Sequence, residues 1–416
     1  MVANSGSLSP TWVAVPGGLT APDGFQASGF TAGLKASGKP DLALLLAPEG
    51  AVCAGTFTTS VVRAACVDLC IERLQRRGGQ VRAVLTNSGQ ANACTGDRGL
   101  IDSQRATQAL ADRLGLTAEE VLICSTGVIG VPIPMDILLA GIDPLASALS
   151  GDGGAAAATA ILTTDLIDKQ IALEANLGGR RVRIGGMAKG SGMIHPDMAT
   201  MLGYLTCDAA VPADQWQALV QRAVQRSFNA ITVDGDTSTN DSFLAFAAGA
   251  PLPPDQLAAL EEGVTQVAQH LARAIARDGE GATCLMDVRV DGAASEAEAQ
   301  RIARTVCGSS LVKTAIHGRD PNWGRIIAAA GRAGVHFDPE TVALWLGEHQ
   351  LMAAGQPLPF DRPAASRYLR ERAAGAYLQD DSVRIRLRVG DGPGQGQAWG
   401  CDLSDQYVRI NADYTT

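Results

Sequence analysis

A small residue followed by a threonine, Ala199-Thr200, closes a glycine-rich approach in the stretch MAKGSGMIHPDMATMLGYLTCDAA (187–210), which then runs on as a strand-like segment. A threonine hydroxyl is a weak nucleophile until a base takes its proton, and one available base is the threonine's own α-amine. That amine titrates near pKa ~8 in model peptides, so it accepts a proton at neutral pH, but only once the preceding peptide bond is cut. Glycines permit strained backbone ahead of such a bond, and a small residue at 199 leaves room for the Thr200 hydroxyl to attack the neighbouring carbonyl. The bland alternative is a tight turn into an ordinary strand. On composition and spacing alone, both stay open.

Other chemistries fit the sequence less well. KGSG (189–192) places its lysine before the glycines, the reverse of a phosphate-binding loop, and no GxSxG elbow is present. Asp234, Asp236 and Asn240 in VDGDTSTND (233–241) have some look of a calcium loop. However, Thr239 stands where that loop needs glycine, and its last position has no glutamate. A loop tied by side-chain-to-backbone hydrogen bonds is the expectation there, with no metal. The five histidines never cluster; His195 is a candidate base, weighed against a packed or surface histidine.

The elements that must position these residues alternate between apolar runs and amphipathic stretches. DLALLLAPEGAVCAGTFT (41–58) reads as strand, turn, strand. VRAVLTN (81–87) reads as a strand before a polar loop, and SQRATQALADRLG (103–115) as a helix. Thr117 and Glu120 have capping-box spacing ahead of the apolar VLIC run. Residues 252–279 hold the longest helix candidate, with proline near its start and Gly279 after its end. VRIRLRV (383–389) alternates as a half-solvated strand does, and GDGPGQGQ (390–397) reads as a hairpin loop. No clean βαβα rhythm emerges, so the fold class is α+β, in layers.

Bulk properties narrow the partners. The 416-residue chain is 46% hydrophobic and 19% charged, a globular composition, with a net charge of −9. An acidic chain without basic runs argues against nucleic acid or an anionic membrane surface. Neither a signal peptide nor a membrane-spanning run is legible. Nine cysteines without any CxxC spacing suggest a reducing, cytoplasmic setting, with Cys66 and Cys70 packed one helical turn apart.

The stretch AKGSGMIHPDMATML (188–202) resembles the signature of the ornithine acetyltransferase family of arginine biosynthesis, whose members cleave themselves before this threonine. NSGQANACTG (87–96), CSTGVIG (124–130), ILTTD (161–165), TVDGDTSTNDS (232–242), RDGEGAT (277–283), DPNWGRI (320–326) and YVRINADYTT (407–416) resemble family blocks in the same order. Departures are few: Gln90 stands where asparagine is expected, and His317 and Arg319 where other residues are.

The resemblance implies acetyl transfer from N2-acetyl-L-ornithine to L-glutamate, by ping-pong chemistry through an acetyl ester on Thr200. It implies autocatalytic cleavage between Ala199 and Thr200, giving chains 1–199 and 200–416. Thr126 and Gly127 are implied as the oxyanion hole. Thr163, Lys189, Thr200, Glu280, Asn411 and Thr416 are implied as substrate-binding residues, with Thr164 a rival to Thr163. Lys189 is expected to face a carboxylate and Glu280 the δ-ammonium of ornithine. A layered α/β/β/α sandwich and a dimer of cleaved heterodimers follow from the same resemblance, with no metal or cofactor beyond acetyl-CoA as a possible second acetyl donor. Two other readings stay open: a self-cleaving aminopeptidase or amidase using water as acceptor, and a non-catalytic binding protein for small anions.

Overall fold

The computed structural model of the chain describes residues 11–195 and 201–413; Ala199, Thr200 and Thr416 lie outside the described residues. Strand Leu42–Leu46 is apolar throughout because both of its faces are buried. Leu42 and Leu44 enter one core, whereas Ala43 and Leu45 enter another. The period-two alternation of a strand thus serves two cores at once.

That two-sided burial repeats through the four-stranded sheet, ordered Gln26–Phe30, Leu42–Leu46, Ala83–Gln90, Val121–Val128. Its outer face packs on helices Ala65–Arg77, Gly96–Leu114 and Met135–Ser147. Its inner face packs on a six-stranded sheet through Val84, Leu122, Leu202, Tyr204 and Phe246. The six strands run in the order Val13–Ala14, Lys169–Leu177, Arg180–Lys189, Leu202–Ala210, Ser242–Pro251, Val52–Phe57. Helices Ala213–Gln225 and Leu257–Arg277 cover the far side. This is the expected α/β/β/α layering.

A further α+β unit was not foreseen. A second six-stranded sheet, ordered Gln356–Pro357, His349–Ala353, Ala343–Leu346, Ser382–Arg388, Leu285–Ala293, Gly394–Cys401, carries helices on one face and has its own core. Within it the glycine-rich segment departs from the hairpin expectation. Strands Ser382–Arg388 and Gly394–Cys401 do not pair; both flank Leu285–Ala293, one parallel and one antiparallel. The glycines serve close packing: a Cβ on Gly396 would sit 2.4 Å from the Ala299 backbone, in helix Glu296–Cys307. Glycine inside a strand often marks such an approach. The segment 41–58 forms its two strands as read, but the turn at Pro48–Gly50 carries the chain from one sheet to the other. The Thr117–Glu120 capping box forms on a single 3-10 turn leading into strand Val121–Val128.

Candidate active site

Parallel strands Ala83–Gln90 and Val121–Val128 pair Ser88 with Thr126 and Gly89 with Gly127 near their carboxyl ends. Gly127 adopts φ +133°, and a Cβ there would lie 2.2 Å from the Gly89 carbonyl carbon, so only glycine fits. Here a cavity of about 290 Å³ opens, lined by Thr126, Gly127, Thr163, Thr164, Lys189, Glu280 and Asn411 among others. Every implied site residue within the described part of the chain therefore faces one space, although the chain separates the first from the last by 285 positions.

Lys189, the last residue of strand Arg180–Lys189, is buried and donates from Nζ to Thr126 Oγ1 at 3.3 Å. The ammonium occupies a lone pair of that hydroxyl, leaving the Thr126 O–H free to donate. Burial lowers the Lys189 pKa, against the attraction of Asp165 above all. Glu280 follows helix Leu257–Arg277; its amide donates to Ser191 O at 3.0 Å. Its Oε2 accepts from Asn411 Nδ2 at 2.7 Å, docking helix Asp405–Ala412 at the cavity. The two threonines differ. The Thr164 hydroxyl bonds Ser191 Oγ at 2.7 Å, whereas the Thr163 hydroxyl has no partner among the described residues and is the freer to meet a ligand.

A buried ion cluster ties the cavity's segments together. Lys169 Nζ lies 2.7 Å from both Asp165 Oδ1 and Asp278 Oδ2. Asp165 also accepts from the amides of Thr163 (3.1 Å) and Gly190 (2.6 Å). Burial opposes its charge, but Lys169 and Lys189 outweigh that and hold its carboxyl far below the usual range. The loop bearing Thr163, the strand end bearing Lys189 and the helix end before Glu280 thereby share one anchor. Lys35 adds a second: Nζ bonds the carbonyls of Pro40 and Leu162, and burial pushes its pKa down to about 8. Neither Lys35 nor Lys169 was singled out from the sequence, where a lone lysine carries no spacing signal.

The 233–241 segment is the tied loop expected of it. Asp234 accepts from the amides of Met193 (2.5 Å), Ile194 (2.9 Å) and Asp236 (3.2 Å). Asn240 Nδ2 bonds the carbonyls of Ala91 and Ser125, and with Ser238 and Thr239 it forms a wall of the cavity that was not foreseen. Asp241 is fully buried; its Oδ1 accepts from the Met201 amide at 2.9 Å, one residue beyond Thr200. Among the described residues, no group of three or more His, Cys, Asp or Glu is arranged to hold a metal. His195 Nδ1 lies 3.1 Å from Thr232 Oγ1, and the histidine does not line the cavity.

The unexpected residues have structural partners. Gln90 Nε2 donates to Leu34 O. His317 Nδ1 meets Asp402 Oδ2 at 2.8 Å, and Arg319 Nη2 donates to Thr283 Oγ1 at 2.7 Å. Asp402 in turn accepts from the amides of Thr283 and Cys284, so both departures brace the turn after Glu280. Cys66 and Cys70 are buried thiols within one helix, as read.

Known proteins resemble this chain closely. It is 73% identical over 414 residues to the arginine biosynthesis bifunctional protein ArgJ of Prochlorococcus marinus (strain MIT 9313), covering 100% of this chain and 97% of that protein. It is 73% identical over 410 residues to the protein of the same name from Parasynechococcus marenigrum (strain WH8102), covering 99% and 98%. A crystal structure of ornithine acetyltransferase complexed with ornithine, from Mycobacterium tuberculosis, aligns at 42% identity with a TM-score of 0.42, covering 45% of this chain and 98% of that one. The model of the ArgJ family matches residues 26–416. With that match and relatives this similar along almost their full length, the chain belongs to the ArgJ family.

Proposed function

We propose that this enzyme, an acyltransferase of arginine biosynthesis, moves the acetyl group of N2-acetyl-L-ornithine to L-glutamate through an ester on Thr200. In this reading the peptide bond between Ala199 and Thr200 is first cut by the chain itself. The Thr200 hydroxyl then attacks the acetyl carbonyl, and its proton passes to the freed α-amine. The tetrahedral oxyanion is met by the Thr126 hydroxyl and the Gly127 amide. Collapse breaks the C–N bond, the proton goes to the departing ornithine amine, and the acetyl ester remains. The amine of glutamate attacks that ester by the same steps in reverse, giving N-acetylglutamate and the free hydroxyl.

One observation carries the reading: Thr126, Gly127, Thr163, Lys189, Glu280 and Asn411 line a single cavity. A buried cation and a carboxylate facing one space suit a substrate carrying an ammonium and a carboxylate. Lys189 is proposed to meet the α-carboxylate and Glu280 the δ-ammonium of ornithine, with glutamate accommodated by rearrangement or through water. Thr416 is proposed to close the site. The relatives are named bifunctional proteins, which supports a second activity, for which acetyl-CoA is the proposed donor. A dimer of cleaved heterodimers in the cytoplasm completes the proposal.

The test is acetyl transfer measured for wild type and Thr200→Ala with and without glutamate. The reading expects glutamate-dependent release of ornithine from wild type, and an uncut, inactive variant. Ornithine release indifferent to glutamate would favour a hydrolase instead.

A further inference from the structure

A second polar cavity, of about 460 Å³, lies between the first six-stranded sheet and the C-terminal one, and shares no lining residue with the catalytic cavity. Four arginines line it: Arg273 on helix Leu257–Arg277, Arg289 and Arg384 on adjacent strands, and Arg372 at the end of helix Arg362–Ala373. Only two carboxylates, Asp287 and Asp380, face them. Asp287 is taken up by Arg289 at 3.0 Å and by Gln397 at 2.7 Å. Asp380 takes the Ala376 amide, and Arg372 donates to the Asp380 backbone carbonyl at 2.7 Å, with its guanidinium 5.6 Å over the Tyr368 ring. Among the described residues, Arg273, Arg372 and Arg384 have no ion pair with a carboxylate.

This positive surplus is gathered in a chain whose net charge is −9. Such charges repel one another in a concave space unless an anion joins them. A second observation points the same way. The Nε atoms of Arg273 and Arg372 are both buried without a hydrogen-bond acceptor. Orphaned buried donors are uncommon in folded proteins, and although Arg73 Nε elsewhere is another, two on the lining of one cavity mark guanidinium groups that the chain itself leaves partly unsatisfied. Guanidinium groups are the usual partners of carboxylate and phosphate oxygens, which they grip two at a time. The volume falls in the range of metabolite sites rather than that of a single ion, and Trp399 supplies an apolar wall.

We propose that this cavity binds a metabolite-sized polyanion, its charges borne on carboxylate or phosphate oxygens held by Arg273, Arg372 and Arg384. The site is separate from acetyl transfer, and its occupancy does not depend on the reading of Thr200.

Isothermal titration calorimetry on the full-length protein tests this, with pyrophosphate and citrate as separate probes. One site per chain is expected for at least one probe. Stronger binding of pyrophosphate assigns a phosphorylated ligand, and stronger binding of citrate a polycarboxylate. Arg384 is exposed on a strand, so Arg384→Gln retains the fold; it should raise Kd by roughly tenfold or more, the worth of one charge-assisted contact. The Arg273→Gln/Arg384→Gln double variant should abolish binding. No heat from either probe, or unchanged Kd values in the single variant, would overturn the proposal.

Discussion

Thr126 is buried, and it accepts from Lys189 at 3.3 Å, which leaves its own proton for the cavity. If that proton meets the oxyanion, Thr126→Val keeps the shape and removes the donor. The expected loss is roughly 10²–10³ in kcat with KM little changed; steady-state kinetics with acetylornithine checks it. Asp241 gives a prediction in pH. Burial raises its pKa well above the ordinary carboxylate value, against the pull of the Met201 amide and Lys189. The folded chain then keeps a proton that the unfolded chain has released, so stability falls as pH rises from about 4 through the folded pKa. Asp241→Asn has no such proton to lose. Its stability relative to wild type should therefore increase with pH, read by urea denaturation at about pH 5 and about pH 8; a difference independent of pH would contradict the assignment.

Side-chain contacts hold the cavity's segments together, and two of these contacts can be tested by removal. The Lys169 cluster joins strand Lys169–Leu177, the loop at Asp165 and the end of helix Leu257–Arg277. Lys169→Met leaves two buried carboxylates facing each other, and should cost about 3–5 kcal/mol of stability by urea denaturation. Helix Asp405–Ala412 is different: none of its residues is buried, and Asn411 ties it to Glu280. Deleting residues 405–416 should leave the thermal midpoint nearly unchanged and reduce kcat/KM by about tenfold or more, the worth of a lost charge-assisted contact. The elements themselves were legible wherever one period dominated, as in helix Leu257–Arg277 or the alternating strand Ser382–Arg388. The glycines of 390–397 misled because glycine signals a turn and a close helix approach with the same residue. Strand order was illegible too: nothing local says that Ser382–Arg388 and Gly394–Cys401 take opposite sides of Leu285–Ala293, far earlier in the chain.

At the scale of the whole molecule, residues on both sides of the 199/200 bond build one sheet. Strand Leu202–Ala210 lies between Arg180–Lys189 and Ser242–Pro251, antiparallel to one and parallel to the other. A chain cut at that bond would stay joined by this ladder and by the core beneath it, with Leu202 and Tyr204 packed against Val84 and Leu122. The cavity residues were legible through motif blocks, because each block keeps its local residues together. Their anchors were not: Lys35 and Lys169 act across distances in the chain that no motif spans. The central claim is that Thr200 carries the acetyl group. Intact mass spectrometry with and without N2-acetylornithine tests it most directly. Two fragments of 199 and 217 residues are expected, the second beginning at Thr200 and gaining one acetyl group with substrate. A single 43.0 kDa chain that transfers acetyl groups to glutamate without becoming acetylated would contradict it.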